Sequence, residues 1–579
     1  MADITATILG VIQLAQLALK VLYTLSLTDW RFPPTCTVTN GSYYDFIIIG
    51  GGGAGSVLGN RLTANSSYSA LIIEAGGNPP LESEMPGVFT LLPSSQYEYN
   101  ITTYNDGRTC QNLQDNAYKI TAGKMLGGST SLGHVSQARG DPRDYNNWAE
   151  QSGDDSWNYK NMYKYFIKQE TLIDAELLNS PYASLHGTNG PIKIARETYT
   201  ENIPLLNAAA NLGHNVVLDV TSNTSSLGIS EPLFQIDGVR QSTAITYLGE
   251  ARSRTNLCVS PSSTATKILM ENGTAVGVRF VDSNGDIIVV YANKEVILSA
   301  GALNSPKVLM LSGIGPSSQL ESFGIDVVAN LPVGEYFQDA PTVALFYQLA
   351  DDTSTTPASN PFKFPAPATF LYATTNSSQT CPEYQSINLL IPHDSTAAVQ
   401  VTSNVFKYKN DICNKWYEAS VNKSMLFTAL SLLHPKSYGN LRLASADYND
   451  NPIVTTGFLN DTNGEDLKLM ADSLADFNKI PVSMNGTLVD LGLCNNTTTD
   501  AEYWECYAMT MSNGIWRPIG TCKMGTVVDT KLNVIGIKNL RVVDASVMLS
   551  QISGNSGAAV VAIAEYASDL ILNKWNITV

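Results

Sequence analysis

The run Gly50-x-Gly52-x-x-Gly55 constrains this chain more than any other feature. It ends Tyr44-Asp-Phe-Ile-Ile-Ile-Gly50, a short stretch of β-branched and aromatic residues that predicts a buried parallel strand. It opens a helix expected from about Ala54 to Ala64, and a second strand, Ala70-Leu-Ile-Ile-Glu74, follows. Strand, glycine turn, helix and strand make one βαβ unit. The glycines permit the tight turn and a close approach to a pyrophosphate, and the helix N-terminus then faces the phosphates. Glu74, at the end of the second strand, can accept hydrogen bonds from a ribose. Gly50, Gly52, Gly53, Ala54, Gly55 and Glu74 are therefore the candidate dinucleotide contacts. A turn built for packing alone would not need the acidic residue at that place.

With 579 residues the chain is too long for one core and predicts several domain-sized units. Strand-like runs return at Ala275–Val281 and Ile287–Tyr291. Glu295–Ser299 reads as another buried strand, followed by a glycine turn and a helical Pro306–Leu311. From Val343 to Gly520 the pattern is irregular, which suggests an inserted sheet domain. Leu540–Asp544 returns to strand, and a long helix is expected from Gly557 to Leu572. The expected fold class is α/β (mixed α+β). Residues 1–43 form a lead-in or signal segment, 44–342 mainly an interrupted dinucleotide-binding region, 343–520 mainly a substrate domain, and 521–579 a return to the first domain.

The formal charge of −17 leaves no basic stripe for nucleic acid. Ile4–Leu19 is apolar but short and interrupted by Gln13 and Gln16, so it reads as a signal segment rather than a span. Asn-x-Ser/Thr sequons begin at Asn40, Asn65, Asn100, Asn223, Asn272, Asn376, Asn422, Asn460, Asn485, Asn495, Asn496 and Asn576. Their number predicts a secreted glycoprotein with no membrane span when mature. Eight cysteines suit an oxidising compartment, although their pairing is not readable. No CxxC occurs, so no metal is expected. The partner expected is a small-molecule substrate, with a monomeric or homodimeric protein.

Gly123-Lys-Met-Leu-Gly-Gly-Ser-Thr-Ser131 and Ser299-Ala-Gly-Ala-Leu-Asn-Ser-Pro-Lys-Val-Leu-Met-Leu-Ser-Gly-Ile-Gly-Pro316 are similar to the two signatures of the glucose–methanol–choline (GMC) family. Arg517-Pro-Ile-Gly-Thr-Cys-Lys-Met-Gly525 and Val542-Val-Asp-Ala-Ser546 look like its C-terminal motifs. The resemblance runs in order from Asp45 to Leu572 and is closest to arthropod members. It implies FAD in a discontinuous Rossmann-like domain and a substrate domain on a mixed or antiparallel sheet. It also implies that Gly127, Gly128, Ser129, Asp544 and Ala545 lie along the flavin nucleotide.

The departures bear on the reaction. Family alcohol oxidases and dehydrogenases carry a His, then a His or Asn, beside the flavin. Here the first position is Arg517 and the second is Gly557. A guanidinium stays protonated and is no general base, and losing such a base costs roughly 10²–10⁴-fold. Gly133 replaces the family's Asn or His, and His134 stands one residue later as a replacement base. Trp516 reads as a pocket wall. Base plus fixed cation suits cyanohydrin cleavage, so a hydroxynitrile lyase with structural FAD is the leading expectation. An FAD-dependent oxidase or dehydrogenase of CH–OH donors is the alternative, and a catalytically dead FAD-binding protein a second.

Overall fold

The computed structural model describes residues 14, 18, 28–221, 226–351, 360–393 and 395–579. The expected signal segment therefore lies outside the described residues except for Leu14 and Ala18, and so does Asn223.

β1 (Tyr43–Ile49), α1 (Gly53–Leu62) and β2 (Ala70–Ile73) form the opening unit, close to the expected boundaries. The turn-rich stretch that follows holds a hairpin, β3 (Glu98–Thr102) and β4 (Lys119–Gly123). After β5 (Gly228–Ser230) come β6 (Leu257–Ser260), β7 (Thr264–Glu271), β8 (Thr274–Val281), β9 (Ile287–Leu298) and helix α2 (Gly301–Leu311). The two runs read as separate strands at Ile287 and Glu295 are one strand, β9. Its first half pairs antiparallel with β8, and its second half pairs parallel with β1. The neighbours change at Tyr291, and the polar Asn293 and Lys294 fall at a register irregularity against β1 and do not end the strand.

The irregular stretch folds into four long strands, β10 (Thr342–Asp351), β11 (Ala368–Ala373), β12 (Tyr384–Ile391) and β13 (Lys423–Leu432). Helix α3 (Glu465–Ser483), β14 (Thr487–Leu488), β15 (Ser512–Asn513), β16 (Leu540–Val542) and α4 (Gly557–Lys574) complete the elements used below.

Two seven-stranded sheets organise the molecule. The first runs β6-β2-β1-β9-β8-β7, with β16 parallel beside β9. The second runs β14-β10-β13-β12-β11-β5 with antiparallel ladders, and β15 pairs with β10. In the first sheet β1 and β2 are buried along their shared length, with Ile47 and Ile48 fully so. Helices cover these strands, which is why they read as continuous apolar runs.

α4 brings the C-terminus back against α1. Arg61 Nη2 of α1 meets the fully buried Glu565 of α4 at 2.6 Å, and Tyr247 Oη donates to the same carboxylate at 2.8 Å. The described residues form two disulfides: Cys36–Cys258 ties the segment before β1 to β6, and Cys494–Cys506 closes a short loop. Among the described residues no helix is long and apolar enough to cross a membrane.

Candidate active site

The carboxyl ends of β1, β2, β9 and β16 converge on one cavity of about 400 Å³. Ligands of open α/β sheets bind at such strand ends, where neighbouring connections leave in opposite directions. Gly50 follows β1 with φ +97°, and a β-carbon there would stand 2.5 Å from the Ser299 carbonyl oxygen. Only glycine lets the turns after β1 and β9 pass each other. At Gly55 a β-carbon would lie 1.8 Å from the Gly50 carbonyl oxygen, so this glycine seats α1 on its own turn.

Gly50, Gly52, Gly53, Ala54, Glu74, Gly128, Ser129, Asp544 and Ala545 line the cavity together with His134, Trp516, Arg517 and Gly557. Gly55 and Gly127 sit behind the lining and act through packing. Both Glu74 oxygens accept backbone N–H bonds, from Gly51 and Gly76, each at 2.8 Å. Burial pushes the Glu74 carboxyl up to about 7 despite these bonds. Each oxygen keeps a second lone pair for a ribose hydroxyl. Asp544 is committed within the chain. It accepts from Ser305 Oγ at 2.6 Å, Gly301 N at 2.9 Å and Ser546 N at 2.8 Å. It thereby fixes the start of α2 and the adjoining Ala545 against the cavity.

The cavity lining suits FAD. The first turn of α1 leaves N–H groups without intrahelical acceptors on the cavity wall. Gly52 and Gly128 face each other so closely that a β-carbon on Gly128 would stand 2.9 Å from the Gly52 Cα. Glycine on both sides leaves bare backbone where a pyrophosphate can approach. Beyond Gly557, which opens α4, a β-carbon would meet no heavy atom within 4 Å.

At the other end of the cavity, buried side chains hold Trp516 and Arg517. Trp516 has φ +59°, a left-handed conformation that costs a bulky residue about 1–2 kcal/mol. Its N–H donates to Tyr118 Oη at 2.6 Å, and the next N–H, of Arg517, donates to Asp339 Oδ1 at 2.9 Å. Tyr118 Oη in turn donates to Asp339 Oδ2 at 3.0 Å. Burial raises the Asp339 carboxyl to about 6. The Gln551 side-chain amide donates to the Arg517 carbonyl at 2.9 Å.

The Arg517 side chain is 2% exposed. Nη2 donates to Gln385 Oε1 at 2.6 Å and to Asn555 Oδ1 at 3.1 Å, both neutral amides. Gln385 is oriented by Tyr372, its cross-strand partner between β12 and β11, at 2.8 Å. Among the described residues Nε and Nη1 of Arg517 have no hydrogen-bond partner. Burial lowers the guanidinium pKa. Arg240 is a second buried cation near this end. It donates to the carbonyls of Ser83, Thr130 and Gly133, and its Nη2 has no hydrogen-bond partner among the described residues. Burial, then Arg240 and Arg517, push the His134 imidazole down to about 4, so it is neutral at physiological pH.

Sequence reasoning missed Gln385, Asn555, Asp339 and Arg240. Asn555 lay within the Gly554-Asn-Ser-Gly557 run. The others gave no local signal, because sheet register and loop packing bring them in.

Two family models described as GMC oxidoreductase match residues 44–342 and 435–564. The chain belongs to the GMC oxidoreductase family. An ecdysone oxidase of Bombyx mori is 36% identical to it, over 96% of this chain and 86% of its own length. A glucose dehydrogenase [FAD, quinone] of Drosophila melanogaster is 30% identical, over 92% of this chain and 87% of its own. The structure of formate oxidase from Aspergillus oryzae superposes with a TM-score of 0.78 over 93% of this chain and 100% of its own. At 23% identity that likeness bears on the fold alone.

These relatives overturn the expected cyanohydrin cleavage, since both are named for redox reactions. Loss of the family's usual His at Arg517 is therefore not a sign of lyase chemistry in this GMC oxidoreductase.

Of the sequon asparagines among the described residues, all are exposed but Asn65. Asn65 is half-buried, and its amide donates to the Thr578 carbonyl at 2.8 Å.

Proposed function

We propose that this GMC oxidoreductase uses FAD to oxidise a CH–OH donor at the cavity end formed by His134, Trp516 and Arg517. FAD is its cofactor, and when bound it supplies a two-electron acceptor for the hydride of the donor carbon. In this reading Gly52, Gly53, Ala54, Gly128 and Ser129 hold the pyrophosphate, Glu74 the ribose, and Ala545 the flavin side chain.

The observation that carries the reading is a buried guanidinium, with two nitrogens unpaired among the described residues, on a residue that lines the cavity where the family places its histidine. A preorganised cation stabilises negative charge developing on the donor oxygen, and in a dry site this is often the largest catalytic term. It favours the alkoxide, so a weak base suffices. A ring nitrogen of His134, neutral at physiological pH, takes the hydroxyl proton. Arg517 and Gly557 thus shift the work from general-base strength to electrostatics.

Secretion is read from the exposed sequons and the two disulfides, which suit an oxidising compartment.

The test is the visible spectrum of the purified holoprotein under nitrogen with a panel of alcohols, headed by ecdysone and glucose, the compounds for which the relatives are named. Loss of the yellow absorbance with at least one donor is expected. An oxidised spectrum with every donor would overturn the reading.

A further inference from the structure

The Arg517 guanidinium has more binding capacity than an uncharged alcohol uses. Of the five N–H donors of a guanidinium, the two protein bonds both leave Nη2, toward Gln385 and Asn555. Nε and Nη1 have no hydrogen-bond partner among the described residues and are themselves buried, and the residue is part of the cavity lining.

Among the described residues no carboxylate pairs with the guanidinium. Asp339, the carboxylate that acts on it through space, spends Oδ1 on the backbone N–H groups of Arg517 and Ala340 and Oδ2 on Tyr118. The acids on the cavity wall, Glu74 and Asp544, are held by N–H and O–H donors elsewhere. Arg240 adds a second buried cation whose partners are carbonyl oxygens. A buried charge left without a counter-ion is costly, and a site that keeps one is built to receive the opposite charge.

We propose that Arg517 anchors a carboxylate of the substrate, and that the preferred donor is a small 2-hydroxy acid. This rests on the reading of the cavity as a CH–OH oxidation site. A 2-hydroxy acid presents its hydroxyl and a carboxylate oxygen side by side, so one guanidinium reaches both. Charge-assisted bonds of this kind are about twice as strong as neutral ones. In the reaction the C–H and O–H bonds of the donor break and a C=O bond forms. The hydride with its electron pair goes to FAD, the proton goes to His134, and the carboxylate stays on Arg517 as a spectator. A cationic alcohol such as choline is disfavoured by the same field.

The experiment uses the FAD-loaded protein under nitrogen at constant ionic strength. Sodium acetate, which carries no oxidisable alcohol, is titrated while the flavin absorbance and the thermal midpoint are followed. Acetamide, its neutral isostere, is the control. Saturable binding of acetate, at least about tenfold tighter than acetamide, is expected. Arg517→Met should weaken acetate roughly thirtyfold or more, with FAD content measured to check folding. Equal binding of the two probes, or none of acetate, on the unaltered protein overturns the proposal without any variant.

A second arm compares lactate with lactamide as donors. If ecdysone or glucose removes the flavin colour while acetate does not bind, the carboxylate anchor falls and the oxidoreductase reading stands. If acetate binds and no alcohol removes the colour, the anchor stands and the oxidoreductase reading falls.

Discussion

The indole of Trp516 and the imidazole of His134 stand with ring centroids 5.1 Å apart and planes tilted by 54°. Trp516 is itself held in a left-handed backbone conformation by Tyr118, and it packs on Phe406 at 5.0 Å. One rigid aromatic wall therefore fixes both the cation that follows it in sequence and the histidine that packs on it. Left-handed strain in a bulky residue persists only where the surroundings over-determine it, and such sites cluster where function needs a fixed side chain.

In the proposed reaction His134 sets the acid limb of the pH profile. Burial, Arg240 and Arg517 all lower its pKa, to about 4, so the neutral form persists through the mildly acidic range. The rate of anaerobic flavin reduction should fall only as pH drops through about 4, not near the ordinary histidine value of about 6.5. His134→Ala should slow reduction roughly 10²–10⁴-fold and remove that limb. Full activity in the variant would take His134 out of the chemistry. Arg517→Gln deletes one of the cations that depress His134, so the limb should move toward higher pH.

Gly557 offers a gain-of-function test. No heavy atom lies within 4 Å of the place its β-carbon would occupy, so a side chain there meets open cavity. Gly557→Asn should change stability by no more than about 0.5 kcal/mol. Combined with Arg517→His, it restores the pair that family alcohol oxidases carry. The double variant should reduce its flavin at least about tenfold faster with neutral alcohols than the parent does, and should lose its preference for carboxylate donors. Stopped-flow absorbance with paired acid and amide donors measures both effects.

The sequence showed the parts of the site that are local. Gly50, Gly52, Gly55 and Glu74 announce themselves because one βαβ unit contains the turn, the helix start and the acid. Arg517 and Gly557 were visible as departures from a motif. What they imply was misread, because a motif gives residue identity and not environment. Gln385 orients the Arg517 side chain from 132 residues away, through a strand register that pairs it with Tyr372. The second sheet was expected as a sheet, but its individual strands were not legible, for a related reason. β11 is buried at every position and β13 at nearly every one, so the alternation that marks a half-exposed strand is missing.

His434 couples stability to pH. Its Nε2 lies 2.8 Å from Asp144 Oδ1, and Ser553 Oγ is within 3.2 Å. Burial alone would lower the histidine pKa, but the bond to Asp144 and its charge prevail, and the net shift is upward. The protonated form is thus favoured in the folded state. The contribution to stability is fully present below the unfolded value of about 6.5 and is lost as pH rises through the higher folded value. The thermal midpoint of the parent should exceed that of His434→Gln at about pH 5.5, and the gap should shrink by about pH 9. A gap that widens with pH would reverse the assignment. Asp144→Asn is a poorer probe, because Asp144 also closes the capping box at Asp141.

The two disulfides should differ in worth. Cys36–Cys258 closes a sequence separation of 222 residues, and Cys494–Cys506 one of 12. In the chain-entropy model the longer loop removes more freedom from the unfolded state, about 5 kcal/mol against about 3 kcal/mol. Cys36 also pairs its N–H with the Val259 carbonyl at 3.1 Å, so the bridge holds the segment before β1 beside β6, the outer strand next to β2. Cys258→Ser should therefore lower the denaturation midpoint more than Cys506→Ser. It should also loosen FAD retention on gel filtration, since β2 carries Glu74 at its end. Equal losses in the two variants would show that the Cys36 segment is already held by its other contacts, and that the bridge adds little to the FAD-binding sheet.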